Sequence, residues 1–100
     1  MLQHPLQILY IEDDDLDRMI MKRALNSSGL PVELRFAENI DAGREATQGV
    51  EYDCIFLDYN LPGGTGLELL KVIRASGNNS PIIIVTSQRD EKFALEAKKN

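Results

Sequence analysis

A chain of 100 residues, 43% hydrophobic and 27% charged, has the composition of a single soluble globular domain near the lower end of the common size range. Its net charge of −5 argues against a broad nucleic-acid footprint, which needs basic patches facing phosphate, and no apolar stretch is long enough to cross a bilayer. The N-terminus, Met1-Leu2-Gln3-His4-Pro5, lacks the apolar core of a signal peptide, and the single cysteine, Cys54, cannot form an internal disulfide, so the chain reads as cytoplasmic.

The first predicted strand, 6–11, ends in the continuous apolar run Ile8-Leu9-Tyr10-Ile11, which fits a strand buried on both faces. It runs directly into Glu12-Asp13-Asp14-Asp15, and five of the sixteen acidic residues lie between Glu12 and Asp17. A helix is predicted over 15–28: Asp14 or Asp15 can cap its orphan amides, and Gly29 suits the left-handed stop. Leu16, Met19, Ile20 and Ala24 give this helix the i, i+3, i+4, i+8 stripe of an amphipathic segment. A strand at 32–37 follows, then a weaker helix over 39–48, with Asn39 as its cap, Gly43 inside it and a thin apolar stripe.

The next strand, 52–57, carries Cys54-Ile55-Phe56-Leu57 and stops at Asp58. Cys54 sits inside that run and reads as packing, and His4, the only histidine, reads as a solvated tail residue. After a glycine-bearing loop, a helix over 65–76 places Leu67, Leu70 and Ile73 on one side, with Leu69 and Val72 widening the face. A strand at 81–86 contains Ile82-Ile83-Ile84-Val85 and stops at Thr86-Ser87, and a last helix over 90–99 offers Phe93, Ala94 and Ala97. This alternation predicts βαβ units with right-handed crossovers: an α/β, doubly wound parallel sheet.

In open sheets of this kind the ligand site lies at the carboxyl ends of the strands. One topological inference therefore brings Glu12, Asp13, Asp58 and Thr86 to one rim. Asp14, Asp15 and Asp17 are explained as caps and first-turn residues favoured by the helix dipole. Glu12 and Asp13 follow the apolar run directly and are explained poorly that way. Clustered carboxylates repel one another unless a cation intervenes, and Mg²⁺ is held by one or two carboxylates together with waters and phosphate oxygens. A charged residue ending a doubly buried strand must be solvated, paired or functional. Asp58 can therefore be a nucleophile towards phosphorus, giving an acyl phosphate, or a strand-end aspartate entering a turn; spacing alone leaves the two readings level. Thr86 and Ser87 are ordinary strand-end residues whose interest is positional, since Thr86 would neighbour Asp58 on an adjacent strand. Neither a dinucleotide fingerprint nor a Gly-Lys-Ser/Thr phosphate loop is present.

These residues resemble the receiver domain of two-component response regulators, the CheY-like family. The resemblance is carried by Glu12-Asp13 after Ile8-Leu9-Tyr10-Ile11, by Arg18, by the run Tyr52-Asp53-Cys54-Ile55-Phe56-Leu57-Asp58-Tyr59-Asn60-Leu61-Pro62-Gly63, by Gly66-Leu67-Glu68-Leu69-Leu70, and by Pro81 through Ser87. It implies a flavodoxin-like fold with strand order 2-1-3-4, the (βα)4 portion of a (βα)5 receiver. It implies that Asp58 accepts a phosphoryl group from a phosphohistidine on a sensor histidine kinase or histidine phosphotransfer protein. Mg²⁺ would be held by the Asp13 and Asp58 side chains and the Asn60 carbonyl, with Glu12 acting directly or through water. Thr86, with Ser87 beside it, would supply the switch hydroxyl. Such a domain is a signalling phosphoacceptor rather than an enzyme.

Two departures stand out. Thr65 occupies the position where many receivers have aspartate. The family's fifth strand, its lysine, the following proline and the last helix are not seen in 1–100, so the chain reads as one C-terminally truncated receiver domain. The strand at 82–85 is then an exposed edge, through which two copies could pair as a homodimer. A magnesium-dependent aspartyl-phosphate phosphatase is the first alternative, disfavoured because Asn60 stands where its acid/base aspartate is expected. The second is a phosphorylation-defective interaction module. Without a helix-turn-helix, direct binding to nucleic acid is not expected.

Overall fold

Apolar runs that alternate with capped helices give the expected layers. The computed structural model describes residues 4–86. In chain order these are β1 (Leu6–Ile11), α1 (Asp15–Ser27), β2 (Val32–Ala37), α2 (Ile40–Ala46), β3 (Cys54–Asp58), β4 (Asn60–Leu61), β5 (Gly64–Thr65), α3 (Gly66–Ala75) and β6 (Ile82–Val85). The main sheet has the order β2-β1-β3-β6, and each neighbouring pair is parallel. This is the expected α/β parallel sheet, with the predicted order 2-1-3-4 once the small β4–β5 hairpin is counted separately. Ser87 and the helix expected over 90–99 lie outside the described residues.

Strand alternation decides where the core sits. Leu9 and Ile11 of β1 and Ile55 and Leu57 of β3 are fully buried on one side of the sheet, packed with Leu69 and Ile73 of α3 and Ala46 of α2. The thin stripe of α2 has a steric reason. A Cβ on Gly43 would lie 2.9 Å from Leu69 Cδ2 and 3.0 Å from Ile11 Cδ1, so this helix packs close through small residues.

Helix α1 departs from expectation. Its stripe does not face the core: Leu16, Met19 and Ile20 are 51%, 47% and 56% exposed, and no residue of α1 is buried. Asp17, Arg18, Met21 and Leu25 are the partly covered residues, and at 100° per residue the last three lie on the side opposite Leu16 and Ile20. The helix is turned by Arg18, whose Nη1 donates to the Glu12 carbonyl at 2.7 Å and whose guanidinium lies 6.0 Å from the centre of the Phe36 ring. Arg18 also pairs with Asp15 and, at 3.4 Å, with Glu38. Periodicity located the stripe; a polar anchor set its direction.

At the opposite end of the sheet, β3 begins two residues later than predicted because its approach bonds to side chains. The Gln7 amide donates to Asp53 Oδ2 at 2.7 Å, and the Tyr52 amide donates to Ser80 Oγ at 2.8 Å. The buried Asn78 amide donates to the carbonyls of Thr47 and Val50, closing the ends of α2 and α3 against the strand.

Candidate functional site

β1 and β3 are adjacent and parallel, so Ile11 stands opposite Leu57 and the residues that follow both strands emerge at one rim. Glu12 stays in line with its strand, because its amide still donates to the Ala37 carbonyl at 2.9 Å. Its side chain is 1% exposed. The chain then turns at exposed Asp13 into Asp14, whose carboxylate accepts from the Asp17 amide at 2.8 Å and caps α1. Asp58, buried, is the last residue of β3. One carboxylate oxygen each from Glu12, Asp13 and Asp58 lie within 4.8 Å of one another. Residues 45 positions apart in the chain thus meet, as the strand-end argument required.

The loop after Asp58 is built to release the chain without disturbing that carboxylate. The Tyr59 amide donates to the Val85 carbonyl at 3.0 Å, and the Gly66 amide donates back to the Tyr59 carbonyl at 2.7 Å. Between them, Asn60 pairs with Thr65 and Leu61 with Gly64 in the β4–β5 hairpin. Thr65 caps α3: its hydroxyl accepts from the Glu68 amide, and the Glu68 carboxylate accepts from the Thr65 amide at 2.8 Å. Threonine at this position therefore starts a helix, as an aspartate would. Exposed Asn60 lies two residues past Asp58, and exposed Thr86 directly follows Val85, the register partner of Asp58.

Two contributors were not singled out from the sequence. In sequence Gly66 reads only as part of a motif, yet a Cβ there would collide with the Asp58 carbonyl oxygen. Tyr10 reads as strand core, yet its hydroxyl donates to Glu12 Oε1 at 3.2 Å. Strand period 2 places both on one face, and a tyrosine hydroxyl in an apolar run needs a partner; that was the available signal.

Burial and crowding act on the ionisation of this cluster. Burial pushes Glu12 up to about 7, helped by the charges of Asp58 and Asp17 and opposed by the Asp14 amide. Asp58 is also raised, first by burial and then by the neighbouring Asp13 charge, against the Tyr59 amide and a hydrogen bond with Glu12. Tyr10 is raised as well, by burial and by the Glu12 charge.

A stability prediction follows. The folded value for Glu12 lies above the ordinary 4.5, so the fold favours the protonated acid. That contribution is complete below pH 4.5 and is lost as pH rises through about 7, a change on the order of 2 to 3 kcal/mol. Urea unfolding across this range, without divalent cation, is expected to show falling stability that Glu12→Gln flattens. A flat wild-type profile would refute it.

The donor set fits a hard divalent cation. Mg²⁺ takes oxygen ligands at 2.0–2.1 Å, which sets ligand pairs roughly 3 to 4 Å apart. The three carboxylate oxygens, all within 4.8 Å of one another, could close to that spacing by side-chain rotation. Their mutual repulsion is what a cation would relieve.

Comparison with known proteins agrees with the geometry. The chain is 38% identical over 96 residues to the transcriptional regulatory protein FixJ of Azorhizobium caulinodans, a match that covers 94% of this chain and 44% of that protein. It is 35% identical over 96 residues to the osmosensing histidine protein kinase SLN1 of Saccharomyces cerevisiae, covering 91% of this chain and 8% of that protein. The chain thus spans less than half the length of these curated relatives. Among solved structures, the receiver domain of a Pseudomonas aeruginosa PAO1 sensor histidine kinase, with a magnesium ion in its active-site cleft, superposes with a TM-score of 0.75 at 26% identity. That match covers 94% of this chain and 80% of the other. Residues 8–100 match the response regulator receiver domain, and with the sheet order and strand-end carboxylates described above, the chain belongs to that family.

Proposed function

We propose that the domain accepts a phosphoryl group on Asp58 from a phosphohistidine, in a Mg²⁺-dependent phosphorelay. The convergence of Glu12, Asp13 and Asp58 within 4.8 Å at the strand ends carries this reading. Asp13 and Asp58 would hold the ion with the Asn60 carbonyl, and Glu12 would act directly or through water. When bound, Mg²⁺ neutralises charge on the transferring group. A carboxylate oxygen of Asp58 attacks phosphorus, the phosphorus–nitrogen bond breaks, and its electron pair returns to the donor imidazole. Thr86, with Ser87 after it, would offer a hydroxyl to the phosphoryl oxygens. The experiment is incubation of the chain with acetyl phosphate, with and without Mg²⁺, followed by peptide mass spectrometry. One phosphoryl group on Asp58, formed only with Mg²⁺, is expected. No labelling would favour the interaction module, and steady turnover of phosphate esters the phosphatase.

The donor would be a sensor histidine kinase or histidine phosphotransfer protein, which sets the domain in the cytoplasm. No helix among the described residues is long and apolar enough to cross a membrane. The exposed Leu16–Met19–Ile20 stripe begins three residues after Asp13 and offers the donor an apolar surface beside the carboxylates. Ile20→Glu is expected to slow transfer from a phosphorylated histidine phosphotransfer protein at least about 10-fold, the cost of charging a central apolar contact. Labelling by acetyl phosphate should not change. Equal loss with both donors would refute the docking role.

A second reading concerns self-association. Ile83 of β6 is 49% exposed, which favours a homodimer contact at strand 82–85. Sedimentation that shows a monomer at high concentration would count against it.

A further inference from the structure

We propose that Tyr10 is a positioning residue for the cation site, its hydroxyl holding the Glu12 carboxylate turned into the pocket. The inference rests on reading Glu12, Asp13 and Asp58 as that site. Glu12 is the longest of the three acidic side chains and the most deeply buried, so it has the most rotamer freedom to lose. Both of its oxygens are engaged from outside the cluster. Oε1 accepts from the Tyr10 hydroxyl at 3.2 Å, and Oε2 accepts from the Asp14 amide at 3.1 Å. Arg18 fixes the backbone of the same residue through its carbonyl.

The tyrosine is itself immobilised. Its ring stands 6.4 Å from Phe36 in a tilted arrangement and 6.2 Å from Phe56 edge-on, so β2 and β3 hold the hydroxyl in place. The ring and the hydroxyl therefore do separable things. The ring completes an aromatic layer on the sheet, which phenylalanine would complete equally well. The hydroxyl, in the otherwise apolar run Ile8–Ile11, would be costly without a partner, and the partner it meets is a carboxylate of the cation cluster. Preorganisation of this kind lowers the cost of gathering ligands around a metal ion, and outer-shell partners of metal-ligating carboxylates act in this way.

Titration calorimetry of the 100-residue chain with MgCl₂ tests the idea, with wild type, Tyr10→Phe, Glu12→Gln and the double variant. Tyr10→Phe is expected to weaken Mg²⁺ binding about 10-fold, the loss that follows when a charged group forfeits a hydrogen bond. Its thermal stability should stay near that of wild type. In the Glu12→Gln background, Tyr10→Phe should add no further loss, and saturating Mg²⁺ should restore acetyl-phosphate labelling of the single variant. Unchanged affinity in Tyr10→Phe overturns the proposal, as does an equal loss in the Glu12→Gln background, which would mean that the hydroxyl acts through general packing. Wild type that binds no Mg²⁺ overturns the cation reading itself and this inference with it.

Discussion

Asp58→Asn is expected to abolish phosphorylation while leaving the domain folded, and slightly more stable than wild type in the absence of cation. The amide matches the carboxylate in shape but offers no anionic oxygen, so no acyl phosphate can form. The stability gain has a separate cause. Asp58 is buried at the end of β3 with its pKa raised, first by burial and next by the Asp13 charge. Near neutral pH its ionisation therefore opposes folding, and a neutral residue there removes that cost. A gain in stability at pH 7 to 8 is expected, read from urea unfolding without Mg²⁺. Adding Mg²⁺ should stabilise wild type and not the variant, because binding to the native state alone shifts the equilibrium. Labelling of Asp58→Asn equal to wild type would remove Asp58 from its proposed role. A large loss of stability would contradict the electrostatic account.

Gly66→Ala is expected to damage the same site from the other side of the loop. The first residue of α3 crosses directly over the end of β3. A Cβ there would collide with the Asp58 carbonyl oxygen and lie 3.2 Å from Leu57 Cγ. The obstacle is backbone, so no side chain can swing aside. Either the start of α3 lifts, breaking the 2.7 Å bond from the Gly66 amide to the Tyr59 carbonyl, or the strand end carrying Asp58 shifts. Overpacking of this kind costs about 3 kcal/mol, and a displaced Asp58 should lose most of its acetyl-phosphate labelling. Gly63→Ala is the control. Gly63 has φ +95° but open space around it, so only backbone strain is at stake, about 1 kcal/mol. Equal stability of the two alanine variants would show that the close crossing is not what constrains Gly66.

Much of the domain is legible before any coordinates. The runs Ile8–Ile11, Cys54–Leu57 and Ile82–Val85 name three of the four strands of the main sheet, although β6 is only partly covered, with Ile83 49% exposed. Asn39 caps α2 as read: its side chain accepts from the Ala42 amide at 2.7 Å. Element boundaries were harder. The three described helices, α1, α2 and α3, are shorter than predicted by one, three and two residues, since terminal turns depend on which side chain captures the last amide or carbonyl.

The amino-acid sequence alone determined the four strands of the main sheet and the three described helices, though not the β4–β5 hairpin, and that the acidic residues closing β1 and β3 share a rim, because parallel βαβ units leave no other placement. Tertiary structure decided which side of α1 meets the sheet, why position 66 admits no side chain, and that a core tyrosine reaches an acidic neighbour. Those outcomes turn on contacts of a few ångströms between packed groups, whereas hydrophobic periodicity reports only how often a position returns to the same face.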